Sequence, residues 1–129
     1  MSTFGTHLRE RRTHLARTMG DVARTVGISV VYLSELERGT KPPPGGDLTA
    51  ALARTLGILP ETLIAEAAVS RGRFVLPVAS GDIRRQELGA ALLRRWEHLT
   101  DEEIGRAIEA LGGAVRLGGL TPDAAKGAA

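Results

Sequence analysis

The sequence predicts an all-α protein, and three observations carry that prediction. Apolar residues recur at helical spacing in seven stretches, and most of those stretches are bounded by capping or breaking residues. The one short apolar run outside them, Phe74–Val78, holds Pro77, which bars it from a central strand and leaves an extended or edge segment. The 129 residues suit one ordinary domain, or a small domain with an appendage, and 43% hydrophobic residues are enough for a core. With 3% aromatics, that core has to be built from Leu, Ala, Val and Ile.

Taken in order, Ser2 or Thr3 can cap a first helix through about Leu15, with Phe4, Leu8, Arg11/Arg12 and Leu15 at near-helical spacing. Thr18 with Asp21 forms a variant of the capping box and opens a second helix. Gly20 inside that helix costs about 1 kcal/mol against Ala, so something offsets it or a backbone approaches closely there. A third helix runs from Ser29 to about Arg38 and stops at Gly39. Thr40, Lys41 and the Pro42–Gly46 run then make a stiff non-helical connector. A fourth helix, Asp47 to Leu56, carries Leu48, Leu52 and Leu56 inward and ends at Gly57. A fifth opens at Pro60, a favoured first-turn residue, and carries Leu63, Ile64 and Ala67.

The second and third helices have the spacing of a helix-turn-helix. Val22 and Val26 lie on the first of the pair, Leu33 and Leu36 on the second. Ala23 is small where the helices cross, Gly27 permits the positive φ of a sharp turn, and Ile28 plugs the gap between the helices. Ser29 can accept from the free N–H groups of the third helix, whose outer face is then Val30, Val31, Ser34 and Glu35. A face held in this way can enter a DNA major groove. Net charge is only +2, but residues 1–41 hold seven Lys/Arg against four acids, and the excess sits with the helix-turn-helix.

Several blocks in the right order resemble the phage-repressor (Cro/CI, or XRE) helix-turn-helix family over Phe4 to about Ala68. They are Leu8–Arg12 (LRERR), Ala23–Ser29 (A-x-x-x-G-I-S), Tyr32–Gly39 (Y-L-S-x-L-E-R-G) with the lysine and prolines after it, and Leu52–Ile58 (L-A-R-x-L-G-I). The resemblance implies a five-helix lambda-repressor-like domain that binds double-stranded DNA, followed here by a two-helix C-terminal extension. It implies that Arg12 and Glu37 form a buried pair tying the third helix to the first, against the alternative of a solvated surface pair. It also implies that Thr18 and Met19, at the start of the second helix, and Arg38, Thr40 and Lys41, after the third, contact the DNA backbone and fix register without reading sequence.

Base reading falls to Ser29, Val30, Val31, Ser34 and Glu35. Many relatives carry Gln at positions matching Met19, Val30, Val31 and Glu35, so their adenine readout does not transfer to this chain. Valine methyls pack on a thymine methyl, and Glu35 can accept from cytosine N4. The alternative is that Val30 or Val31 faces protein or a second subunit. Tyr32 reads as a packing residue with its hydroxyl at the groove edge.

Beyond Ala68 the resemblance stops. The expected organisation is a DNA-binding domain over 1–69, a connector over 70–82, a helical extension over 83–111 and a Gly/Ala-rich flexible tail over 112–129. Ile83 to Leu99 reads as an amphipathic helix with Ile83, Leu88, Leu92 and Trp96 inward and Arg84, Arg85, Arg94 and Arg95 outward in solvent. Thr100–Glu103 is a capping box opening a last helix with Ile104, Ile108 and Leu111 on one stripe. Two such helices cannot enclose a core alone, so they pack on the first domain, on a homodimer partner or, through 70–111, on another protein.

No cysteine means no disulfide or thiolate chemistry, and the N-terminus lacks an apolar signal region. No apolar run reaches the roughly 18 residues of a membrane span, so a soluble, intracellular, cytoplasmic protein is expected. His7, His14 and His98 lack the spacing of a metal site, and no phosphate-cradling or nucleophile–base pattern is present. The expected function is that of a dimeric transcriptional repressor without cofactor, metal or catalytic activity. The alternative is an antitoxin-like autoregulator whose extension holds a partner protein.

Overall fold

The computed structural model describes residues 3–113, which fall into two compact units, 3–74 and 75–113. The first unit holds five helices: α1 (Thr3–His14), α2 (Met19–Val26), α3 (Val30–Arg38), α4 (Gly46–Leu56) and α5 (Pro60–Arg71). α1 rests on α3, α4 and α5, α2 packs on α3 and α4, and α4 lies along α5. Leu8, Leu33, Leu52 and Leu63 meet at the centre with no exposed surface, and Phe4 and Leu56 are almost as deeply buried. The core is aliphatic apart from Phe4, as the scarcity of aromatics requires.

The helix ends follow from local chemistry. Thr18 Oγ1 accepts from the Asp21 N–H at 3.0 Å to open α2, and Ser29 Oγ accepts from the Tyr32 N–H at 3.0 Å to open α3. Between them Gly27 takes φ 82°, a left-handed conformation in which its N–H reaches the Ala23 carbonyl and the chain turns at once into α3. After α3 the prolines hold the chain out of a helix until Gly46, and the Pro44 carbonyl accepts from Thr49 Oγ1 at 3.2 Å and Arg71 at 3.3 Å.

The close backbone approach lies in α1 rather than α2. A Cβ on Gly20 would meet only the Thr18 hydroxyl, at 3.9 Å, whereas a Cβ on Gly5 would sit 2.5 Å from the Glu37 carbonyl oxygen. Gly5 is therefore what lets α1 lie against the end of α3. Arg11 Nε donates to the Leu56 carbonyl at 3.0 Å, tying α1 to the end of α4. His7 Nδ1 is 2.7 Å from Glu66 Oε1 on α5, and Glu66 Oε2 is buried without a hydrogen-bond partner among the described residues. Burial pushes the Glu66 carboxyl above the usual glutamate range, against the opposing pull of His7.

The second unit contains α6 (Ile83–Arg95), a 3-10 turn (Trp96–His98) and α7 (Asp101–Ala110). Asp82 Oδ1 caps α6 by accepting from the Arg85 N–H at 3.1 Å. Thr100 and Glu103 form a complete capping box on α7, each side chain accepting from the other's backbone N–H. The α-helix predicted to reach Leu99 stops at Arg95, and the side chains expected inward are not buried. Leu92 is half-buried, while Ile83, Leu88 and Trp96 are exposed, because these elements enclose no core. The Phe74–Val78 run carries no regular structure, no strand occurs among the described residues, and residue 114 onward of the expected tail lies outside them.

Candidate nucleic-acid interface

α3 is clamped from behind. Leu33 and Leu36 point into the core, and Glu37, almost fully buried, receives Arg12 of α1 at two points, Nε to Oε2 at 2.7 Å and NH2 to Oε1 at 3.0 Å. The same guanidinium donates to the Arg17 carbonyl at 3.1 Å. One α1 side chain thus holds both the end of α3 and the residue before the α2 cap. Its hydrogen bond to Glu37 raises the Arg12 pKa, which keeps it charged at every accessible pH.

With its back fixed, α3 presents Val30, Val31, Ser34, Glu35 and Arg38 on one face. Val30 is 47% and Val31 68% exposed, an unusual state for neighbouring β-branched residues. Ser34 and Glu35 are half-buried, and Arg38 Nε donates to Ser34 Oγ at 3.2 Å, so the serine and arginine at the far end of the face are linked. Ser29 lies at the near end with its hydroxyl oxygen occupied by the cap, leaving its O–H as a donor. Tyr32 lies elsewhere on the helix, half-buried and packed against the core.

Thr18 and Met19 open α2. The Met19 side chain packs against the core, so what this residue can offer to solvent is its backbone N–H. α2 itself supplies no acceptor for the N–H groups of Met19 and Gly20, and the Thr18 hydroxyl keeps a proton to donate beside them. Beyond α3, Arg38, Thr40 and Lys41 are exposed, with Thr40 fixed by its N–H to the Glu35 carbonyl at 3.0 Å. These groups are suited to phosphate oxygens.

Arg17 is a supporting residue that the sequence reading passed over. Its Nε is 2.8 Å from Asp21 Oδ2, NH1 donates to the Thr55 carbonyl of α4 at 3.1 Å and NH2 to Thr25 Oγ1 at 3.1 Å. The hydrogen bond from Arg17 holds the Asp21 carboxyl below the usual aspartate range. The i, i+4 spacing of Arg17 and Asp21 was the available signal, while the Thr55 contact depends on the packing of α2 on α4. No group of three or more His, Cys, Asp or Glu that could hold a metal ion occurs among the described residues. No helix there is long and apolar enough to cross a membrane.

A family model described as a helix-turn-helix domain matches residues 3–67, half of the chain. No curated protein matches. Two solved structures of the clp gene regulator ClgR from Corynebacterium glutamicum are similar to it. One is 35% identical, covering 54% of this chain and 88% of that chain with a TM-score of 0.45. The other is 28% identical, covering 75% of this chain and 92% of that chain with a TM-score of 0.46.

Proposed function

From the premise that the chain belongs to the helix-turn-helix domain family, and so to the class of DNA-binding transcription regulators, we propose that it is a sequence-specific repressor acting as a dimer. α3 enters the major groove of each half of a two-fold operator. The observation that carries this reading is the exposed Val30, Val31, Ser34, Glu35 and Arg38 face on a helix whose opposite side is locked by Leu33, Leu36 and the Arg12–Glu37 pair. A rigid helix with an outward apolar pair flanked by polar groups suits groove reading better than solvent.

The parts divide by chemistry. Val30 and Val31 pack on thymine methyls, Glu35 accepts from cytosine N4, and Ser29 and Ser34 hydrogen-bond base edges. Thr18, the backbone N–H groups at the start of α2, Arg38, Thr40 and Lys41 hold phosphates and set register, and Tyr32 lies at the groove edge. Repression follows by occlusion when the operator overlaps a promoter.

Selection of bound sites from a random duplex library, at low and moderate salt, tests the reading. The expected product is a two-fold site with half-sites about one helical turn apart, and Val30→Ala and Val31→Ala alter its preferred bases. Weak binding without a consensus, lost as salt rises, would leave only phosphate attraction and overturn sequence-specific reading. A second reading, an antitoxin-like autoregulator holding a partner protein, draws on the exposed apolar residues of 83–111. Retention of an unrelated protein by that extension, with the purified chain alone monomeric, would favour it.

A further inference from the structure

α6 and α7 each carry an apolar face that nothing within their own unit covers. On α6, Gly89, Leu93 and Trp96 follow at i, i+4 and i+7 and share a face, and on α7 Ile104, Ile108 and Leu111 do the same. The two helices meet at their joint, where Arg95 lies 3.0 Å from Glu103, rather than along their lengths. Neither helix contains a buried residue.

Their charges are opposite and equal. α6 holds Arg84, Arg85, Arg94 and Arg95 against Glu87, a net of +3, and α7 holds Asp101, Glu102, Glu103 and Glu109 against Arg106, a net of −3. Arg94, Asp101 and Glu109 have no ion-pair partner among the described residues. A surface of this kind is its own complement under a two-fold rotation. Setting α6 of one copy on α7 of another opposes unlike charges twice, whereas α6 on α6 opposes like charges. An acidic partner would suit α6 alone and a basic partner α7 alone, while a second copy of this chain satisfies both helices.

We propose that the α6–α7 unit is the dimer interface. α6 of each copy packs against α7 of the other, the Leu93–Trp96 and Ile104–Ile108 faces are buried between them, and the charges pair at the rim. The proposal deepens the dimeric DNA-binding reading and rests on it, since it supplies the two-fold axis that a two-fold operator requires.

Sedimentation equilibrium of the full chain without DNA provides the test, with circular dichroism on every variant. Arg84→Glu with Arg94→Glu makes both helices acidic, and Glu102→Lys with Glu109→Lys makes both basic. Each double variant is expected to raise the dimer dissociation constant about tenfold or more, by placing like charges opposite one another. An equimolar mixture of the two variants is expected to restore the dimer, because each α6 then faces an α7 of opposite sign. That recovery also separates charge pairing between chains from any loss of helix within one chain. A monomeric wild-type chain, variants that dimerise as the wild type does, or a mixture that stays monomeric would each overturn the proposal. A chain that dimerises as described but selects no DNA site would overturn the function reading and leave the interface standing.

Discussion

In the first unit Leu8, Leu33, Leu52 and Leu63 have no exposed surface, whereas in the second Leu93, Leu111 and Trp96 are 84%, 81% and 61% exposed. Both units are made of helices of similar length with similar capping: Thr18 and Ser29 open α2 and α3 as Asp82 and Thr100 open α6 and α7. Caps and helical periodicity therefore form helices equally well in both places. The difference is what each helix has to pack against. α1 is surrounded by three other helices, and α6 has only a short turn beside it. Local sequence makes a helix, and burial, which supplies most of the stability, depends on neighbours.

The contrast can be broken or sharpened by substitutions, taken from the largest expected effect to the smallest. Arg12→Ala leaves the buried Glu37 carboxylate unpaired and frees the Arg17 carbonyl, and is expected to cost about 3 kcal/mol in urea unfolding. A loss well under 1 kcal/mol would mean that the first unit does not depend on this clamp. Gly5→Ala comes next. Helix propensity alone favours alanine by about 1 kcal/mol, but the added Cβ meets the Leu36 and Glu37 carbonyls, so a net loss of about 2 kcal/mol is expected in thermal melts. Stabilisation would show that α1 and α3 are free to separate.

Thr100→Ala removes the α7 cap and is expected to cost that helix about 1 kcal/mol, read as faster amide exchange at the start of α7. The urea midpoint of the first unit should not move, and a shift there would show that the two units unfold together. The smallest effect is that of Glu66→Gln, and it depends on pH. Because the folded carboxyl has a raised pKa, its stabilising contribution is complete below the ordinary glutamate value and is lost as pH rises through the raised one. The melting temperature of Glu66→Gln relative to the wild type is therefore expected to climb between about pH 4 and pH 7. A flat difference would mean that Glu66 ionises in the fold as freely as in the unfolded chain. Asp21 acts with the opposite sign: its lowered pKa gives stability at neutral pH that is lost on acidification, which is why the comparison is made against the wild type at each pH.

The helix-turn-helix was legible in the sequence because its determinants are local. Thr18, Gly27, Ser29 and Gly39 act within four residues of the backbone groups they satisfy, so the order of residues is enough to place them. The outward Val30–Arg38 face follows in turn from the inward Leu33 and Leu36 by helical geometry. Asp21 was half right: its N–H completes the Thr18 cap, but its carboxylate turns to Arg17 instead of back to the cap.

Other features depend on residues far apart in the chain. Gly5 is needed because α3 crosses it, Arg17 reaches Thr55 across 38 positions and His7 reaches Glu66 across 59. For Ile83, Leu88 and Trp96 the sequence showed a helix with apolar positions, and an inward side was assumed for it. Periodicity reports that a helix has an apolar face, because spacing along a helix is a local property. What lies against that face is set by elements distant in sequence or by another chain, so only the tertiary structure decided which apolar residues are core and which remain exposed.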